Sequence, residues 1–181
     1  MKKKIYPIFL LIAVVLFFSA CIKDTDFDQT EEIEISPTIE LDFLFFNLHS
    51  QSFIENGVTN LVISDTTNFN FLNDDFVVDH LERAEFFFKN TNSIPAQFTL
   101  QFEFLNENNE LQYEVNVPIN AGSITNPVIS EQFENIEGDD IISLTLADKV
   151  VLTITALSSV DDLDGTLKLQ SKTTYYLKIV Q

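Results

Sequence analysis

From Gln97 to Val117 the chain alternates strictly, and that alternation limits what it can fold into. Phe98, Leu100, Phe102 and Phe104 alternate with Gln97, Thr99, Gln101 and Glu103. After the turn-rich break Asn106-Glu107-Asn108-Asn109-Glu110, Leu111, Tyr113, Val115 and Val117 alternate with Gln112, Glu114 and Asn116. A period of two puts every second side chain on one face of an extended strand, whereas a helix would scatter these residues around its axis. The segment is therefore predicted to be a β-hairpin with one buried face.

Other segments share the pattern. Ile39, Leu41, Phe43 and Phe45 alternate after Pro37, and Ala84, Phe86 and Phe88 alternate with Glu85, Phe87 and Lys89 before the stop at Asn90-Thr91-Asn92. Val150, Leu152 and Ile154 mark one face of a strand from Lys149 to Ala156. A long last strand carries Leu167, Leu169, Ser171, Thr173, Tyr175, Leu177 and Ile179 on one side, entered through Asp161-Asp162-Leu163-Asp164-Gly165. Weaker strands are expected at Gly57 to Ile63, Phe69 to Leu72 and Ser123 to Ile129. Helix is confined to short turns at Asp75 to Leu81 and Asp139 to Ala147, the second capped by Asp139 or Asp140. Many short strands joined by Asn- and Asp-rich turns predict an all-β fold, an antiparallel β-sandwich of about seven to nine strands with one or two short helical turns. Phenylalanine, 18 residues in all with no tryptophan, suits a thick core between two sheets. In layering the pattern resembles the immunoglobulin-like class, without that class's cysteine pair and core tryptophan.

The N-terminus has a different grammar. Lys2, Lys3 and Lys4 precede an uninterrupted apolar run from Ile8 to Phe18, then Ser19, Ala20 and the single cysteine, Cys21. The run from Ile5 to Ala20 falls short of the roughly 20 residues that span a bilayer. Cleavage after Ala20 by an ordinary secretory route would leave an exposed thiol. The arrangement resembles a bacterial lipoprotein signal, with Phe18 where an aliphatic residue is usual, a tolerance similar to that of Bacteroidetes lipoproteins. The resemblance implies that residues 1–20 are removed and that Cys21 carries lipid and attaches the chain to a membrane. Lys23, Asp24, Asp26 and Asp28 resemble the acidic tag that marks Bacteroidetes lipoproteins for the outer leaflet of the outer membrane. The alternatives are a solvated acidic tether and a periplasm-facing anchor. The Asp24, Asp26, Asp28 spacing is not an EF-hand, since Gln29 and Ile35 stand where the loop needs glycine and glutamate. The expected organisation is a signal peptide at 1–20, a lipidated cysteine and acidic tether at 21–37, and one sandwich domain at 38–181.

Charge excludes one class of partner. Loss of residues 1–20 removes three lysines and no acid, leaving seven basic against 28 acidic residues and a net charge of −21. A field of that sign repels nucleic acid and anionic headgroups. With its one cysteine committed to lipid, the domain must be held by packing.

Candidate chemistry is sparse. His49 and His80 stand alone, and Gly57, Gly122, Gly138 and Gly165 form no phosphate loop, so no catalytic residues, cofactor or metal site are assigned. The acidic turns Glu137-Gly138-Asp139-Asp140 and Asp161-Asp162-Leu163-Asp164 would bind calcium only if folding joined them. Asp65-Thr66-Thr67 resembles the short O-glycosylation sequon of the Bacteroidetes, which implies Thr66 as acceptor. One surface feature is non-random: Lys168, Lys172, Tyr176 and Lys178 share the polar phase of the last strand. They read as a docking strip for an acidic partner, as cross-strand partners of acids such as Glu103 or Glu114, or as guards of an edge strand. The expected function is a lipid-anchored, non-enzymatic outer-membrane interaction protein with an unidentified protein partner. A lipoprotein that captures a glycan or ion for a transporter is the alternative, with Tyr176 the one tyrosine expected to face outward.

Overall fold

The computed structural model describes residues 34–160 and 163–180. The chain divides into two units, Met1–Glu34 with Val180–Gln181 and Ile35–Ile179, and every element named below belongs to the second. In order these are β1 (Thr38–His49), the short strands β2 (Ile54–Glu55) and β3 (Val58–Thr59), β4 (Val62–Asn68), α1 (Asp75–His80), β5 (Leu81–Asn92), β6 (Phe98–Leu105), β7 (Leu111–Ile119), β8 (Val128–Glu137), α2 (Asp139–Thr145), β9 (Lys149–Ala156) and β10 (Thr166–Leu177).

The alternation pairs as expected in β6 and β7. Their register sets Phe102 opposite Val115 and Phe104 opposite Tyr113, across a turn in which Asn109 takes φ 62°. This is the one hairpin that links consecutive long strands within a sheet. The others cross from layer to layer, giving one sheet in the order β4-β9-β6-β7 and another in the order β1-β10-β5-β8, all pairs antiparallel. With the β2–β3 hairpin set aside and the long strands counted along the chain, the sheets read 2-7-4-5 and 1-8-3-6. That is the strand order of a jelly roll, two interlocked Greek keys. The expected likeness to immunoglobulin architecture therefore holds for the two-sheet layering and not for the strand order.

The interior is built from phenylalanine. Phe86, Phe88, Phe102 and Phe104 are fully buried, and the Phe43 ring reaches in from β1 to lie 5.0 Å from Phe86 and 6.0 Å from Phe104. Rings at these spacings and mostly inclined planes satisfy their quadrupoles while filling the space between the sheets. A bulge opposite Ser171 admits Phe43. There the Leu44 N–H donates to Ser171 Oγ at 2.9 Å and the hydroxyl donates to Leu44 O at 2.6 Å, so a side chain completes the ladder.

Asn92, buried at the end of β5, clasps two loops. Its Nδ2 donates to Ala96 O and Asn120 O, both at 2.9 Å, and its Oδ1 accepts from the Ile94 N–H at 2.9 Å. Gly122 lies against the Asn92 carbonyl so closely that a Cβ there would collide with backbone.

Several expected elements differ. Phe69 to Leu72 is not a strand: Asn70–Asn73 forms a 3₁₀ turn, because the chain must leave β4 and turn toward α1. Gly57 to Ile63 splits between β3 and the start of β4, and Asn56 and Gly57, at φ 52° and 76°, form the turn that joins β2 to β3. Ser123 and Asn126 close a turn through two mutual backbone bonds, and the strand begins at Val128. The two short helices form where expected. The first is capped by Asp74, whose carboxylate accepts from Phe76 and Val77 N–H. The second has Gly138 at its N-cap, and Asp139 and Asp140 stand in its first turn, where they face the helix dipole without capping it.

Candidate functional site

β10 lies between β1 and β5, so its polar phase runs down the middle of an outer sheet face and guards no edge. Five rows cross this face; Thr174, between Glu40 and Glu85, and Gln170, between Phe45 and Lys89, head two of them, and the basic strip occupies the other three. Tyr176 sits between Thr38 and Arg83, Lys172 between Asp42 and Phe87, and Lys168 between Asn47 and Thr91. Beyond β5, β8 adds Glu137, Phe133 and Ile129 to the same rows.

The basic strip is partly neutralised. Lys172 Nζ forms an ion pair with Glu40, and the bonded carboxylate holds its ammonium above the ordinary lysine range. Lys89 Nζ pairs with Glu131 at 3.2 Å. Glu103 and Glu114, the partners expected from sequence, lie on β6 and β7 in the opposite sheet. The Arg83 guanidinium lies 3.7 Å from the centroid of the Tyr176 ring and donates to Asn135 Oδ1 at 2.9 Å, so one face of that ring is covered. Lys178 follows β10, where its backbone N–H donates to His80 O at 2.8 Å.

The apolar part of this face was not anticipated, and it follows from the orientation of β8. This strand points Ser130, Gln132 and Glu134 toward the opposite layer and turns Ile129 and Phe133 outward, 61% and 57% exposed. Its inward polar groups meet β7: Tyr113 Oη donates to Glu134 Oε1 at 2.9 Å, and Gln132 Nε2 donates to Asn116 O at 3.3 Å. Burial, with the Glu134 carboxylate beside it, pushes the Tyr113 phenol well above its usual range. Outside, the Phe133 ring packs 4.7 Å from Phe87, a phenylalanine on the polar phase of β5. That misplaced phenylalanine was the available sequence signal.

The remaining candidates are dispersed. His49 ends β1, whereas His80 ends α1 beside the opposite end of β10. His80 Nδ1 is 2.8 Å from Phe76 O and its ring packs on Phe76. Glu137 lies at the Arg83 end of the sheet and Asp164 lies near Gln51 at the other end, so the acidic turns do not meet; Asp161 and Asp162 lie outside the described residues. Among the described residues no cluster of His, Cys, Asp or Glu could hold a metal ion. Thr66 is exposed on the edge strand β4, not on a loop. Cys21, Lys23, Asp24, Asp26 and Asp28 lie outside the described residues. No helix among the described residues is long and apolar enough to cross a membrane.

No family model and no curated protein matches the chain. Among solved structures, infectious bursal disease virus (Gx strain) aligns with 81% of this chain at 11% identity and a TM-score of 0.45. A presumed secreted protein from Parabacteroides distasonis aligns with 63% at 18% identity and a TM-score of 0.43. This chain spans 33% and 37% of those two chains, and neither likeness is close enough to carry a functional argument.

Proposed function

We propose that this chain is a lipid-anchored, non-enzymatic outer-membrane protein that contacts another protein through the outer face of the β1-β10-β5-β8 sheet. The observation that carries the reading is the inverted strand β8. Outward Ile129 and Phe133, next to Phe87, expose apolar surface beside the Lys89–Glu131 ion pair, while the inward positions between Val128 and Ile136 are Ser130, Gln132 and Glu134. An exposed apolar patch rimmed by charge is the signature of a contact surface. The lipobox at Cys21 and the acidic residues after it support attachment facing the cell exterior. A net charge of −21 beyond residue 20 disfavours nucleic acid as the partner.

Two measurements test this. Protease shaving of intact cells is expected to digest the protein, with the Cys21→Ala variant released from the membrane; protection until lysis overturns the exterior placement. A photocrosslinker at position 129 is expected to give a discrete adduct on cells that Phe133→Ser abolishes. The same group at position 153, on the outer face of the other sheet, is expected to give none. Equal adducts from both faces overturn the assignment. The rings of Phe87, Phe133 and Tyr176 on one face also favour a second reading, glycan capture. It predicts polysaccharide binding that Phe133→Ala and Tyr176→Ala weaken.

A further inference from the structure

The two long edges of the sandwich close differently. On the β7/β8 side the Tyr113–Glu134 and Gln132–Asn116 hydrogen bonds tie the layers together. On the β1/β4 side no hydrogen bond or ion pair joins the two strands among the described residues. Between them runs a groove of about 330 Å³, with Leu152 and Ile154 as its floor and Leu44, Phe46, Leu48 and Ile63 as its walls. It adjoins a second hollow of about 190 Å³ through Leu44 and Thr67. The inward side chains of β5 and β6 are buried, but none of those on β1 is. The core is therefore under-covered along one edge.

That edge also has unpaired backbone. Among the described residues β1 pairs only with β10, and β4 only with β9, so no strand covers their other sides; on β4 the Val62 and Thr66 N–H groups there donate to Asn60 Oδ1 and Asp65 Oδ1, while β1 is left open. Natural edge strands are blunted by lysine, proline, bulges or inward-pointing charges, and here β1 has its bulge opposite Ser171 and β4 turns Asp65 toward the groove. Neither β1 nor β4 contains a lysine, an arginine or a proline. Asp65, at the groove, has no ion pair among the described residues, and its Oδ1 accepts from the Thr66 N–H at 2.8 Å.

We infer that the groove accepts an extended segment of another protein, with alternate apolar side chains and basic flanks, hydrogen-bonded along the free edge of β1. The open backbone edge calls for a strand. A strand added there directs every second side chain into the apolar cleft, and the Asp65 carboxylate, with no ion-pair partner among the described residues, favours lysine or arginine at a flank. A second copy of this chain is disfavoured by the mutual repulsion of two bodies at −21. The chain's own segment at 21–37 is disfavoured because it is acidic. The inference rests on the sheet edge, so it stands or falls separately from the outer face.

The test uses the purified full chain and a synthetic alternating Val-Thr peptide with lysines at both ends, followed by fluorescence polarisation and amide hydrogen exchange. Binding is expected, with new protection at the amides of 38–49 that point away from β10. Asp65→Lys, at an exposed position, is expected to weaken binding about tenfold, the scale of one contact charge. Thr153→Lys, on the outer face of the other sheet, should leave it unchanged, and the glutamate-ended peptide should bind the unaltered chain far more weakly. Absence of binding, binding without protection of 38–49, or indifference to Asp65→Lys overturns the inference. It is equally overturned if the β1 amides that point away from β10 are already protected in the free monomer, or become protected by concentration-dependent dimerisation.

Discussion

Removing the Asn92 side chain tests whether a single buried amide holds β5 in place, and with β5 the Arg83 and Phe87 side chains it presents. Asn92 is fully buried and makes three hydrogen bonds of 2.9 Å, to Ala96 O, Asn120 O and the Ile94 N–H. Each bond contributes about 1 kcal/mol net, and a buried group left without a partner costs at least as much again. Asn92→Ala is thus expected to lose about 3–4 kcal/mol, well inside the roughly 5–15 kcal/mol of a typical domain, so the variant still folds. For a domain of this size that corresponds to a melting point lower by about 10 °C. Asn92→Asp is the sharper probe, because it replaces two donors with an acceptor aimed at two carbonyls and buries a charge. It is expected to lose more than the alanine variant at neutral pH. Urea unfolding followed by circular dichroism reads both, as a lower midpoint at unchanged slope. An alanine variant within about 0.5 kcal/mol of the parent, the range of ordinary surface substitutions, would refute the clasp. So would an aspartate variant as stable as asparagine.

Two further outcomes follow from burial. Phe104→Ala, at a fully buried ring, is expected to cost about 3–5 kcal/mol, while Phe133→Ala, whose side chain is 57% exposed, should cost under about 1 kcal/mol in the same urea assay; equal losses would mean that Phe133 serves the fold. Tyr113 and Tyr175 both have phenol groups pushed upward from the ordinary value of 10.0, mainly by burial, so the native state keeps its protons where the unfolded chain ionises. Their contribution to stability is intact below pH 10 and declines as pH rises through and above that value, and Tyr113→Phe is expected to flatten the decline in stability measured between pH 9 and about 11.5.

How much could be read before folding depended on whether a strand's environment is written in its own residues. β6 and β7 were plain because each has one buried and one solvated face and because they are joined by a local turn. β8 was missed because its three central inward positions are Ser130, Gln132 and Glu134. Those polar groups are tolerated only because Tyr113 and Asn116, on another strand, supply partners across the layers. For the same reason Phe133 and Ile129 gave no sign that they would stand outside beside Phe87. Lys168, Lys172 and Tyr176 lie on the outer phase of β10 and Lys178 follows it, but what the strip meets depended on contacts remote in sequence: Lys172 meets Glu40, 132 residues away, and Tyr176 meets Arg83.

Alternation, turn residues and charge in the chain were enough to establish strands, a buried aromatic interior, a net acidic surface and the all-β class. Folding in three dimensions settled the jelly-roll strand order, the inverted edge and the open groove. Side-chain period encodes which way a residue faces, but strands pair through backbone groups that are nearly the same in every residue. Which strand lies beside which is therefore chosen by how the two layers cover one another.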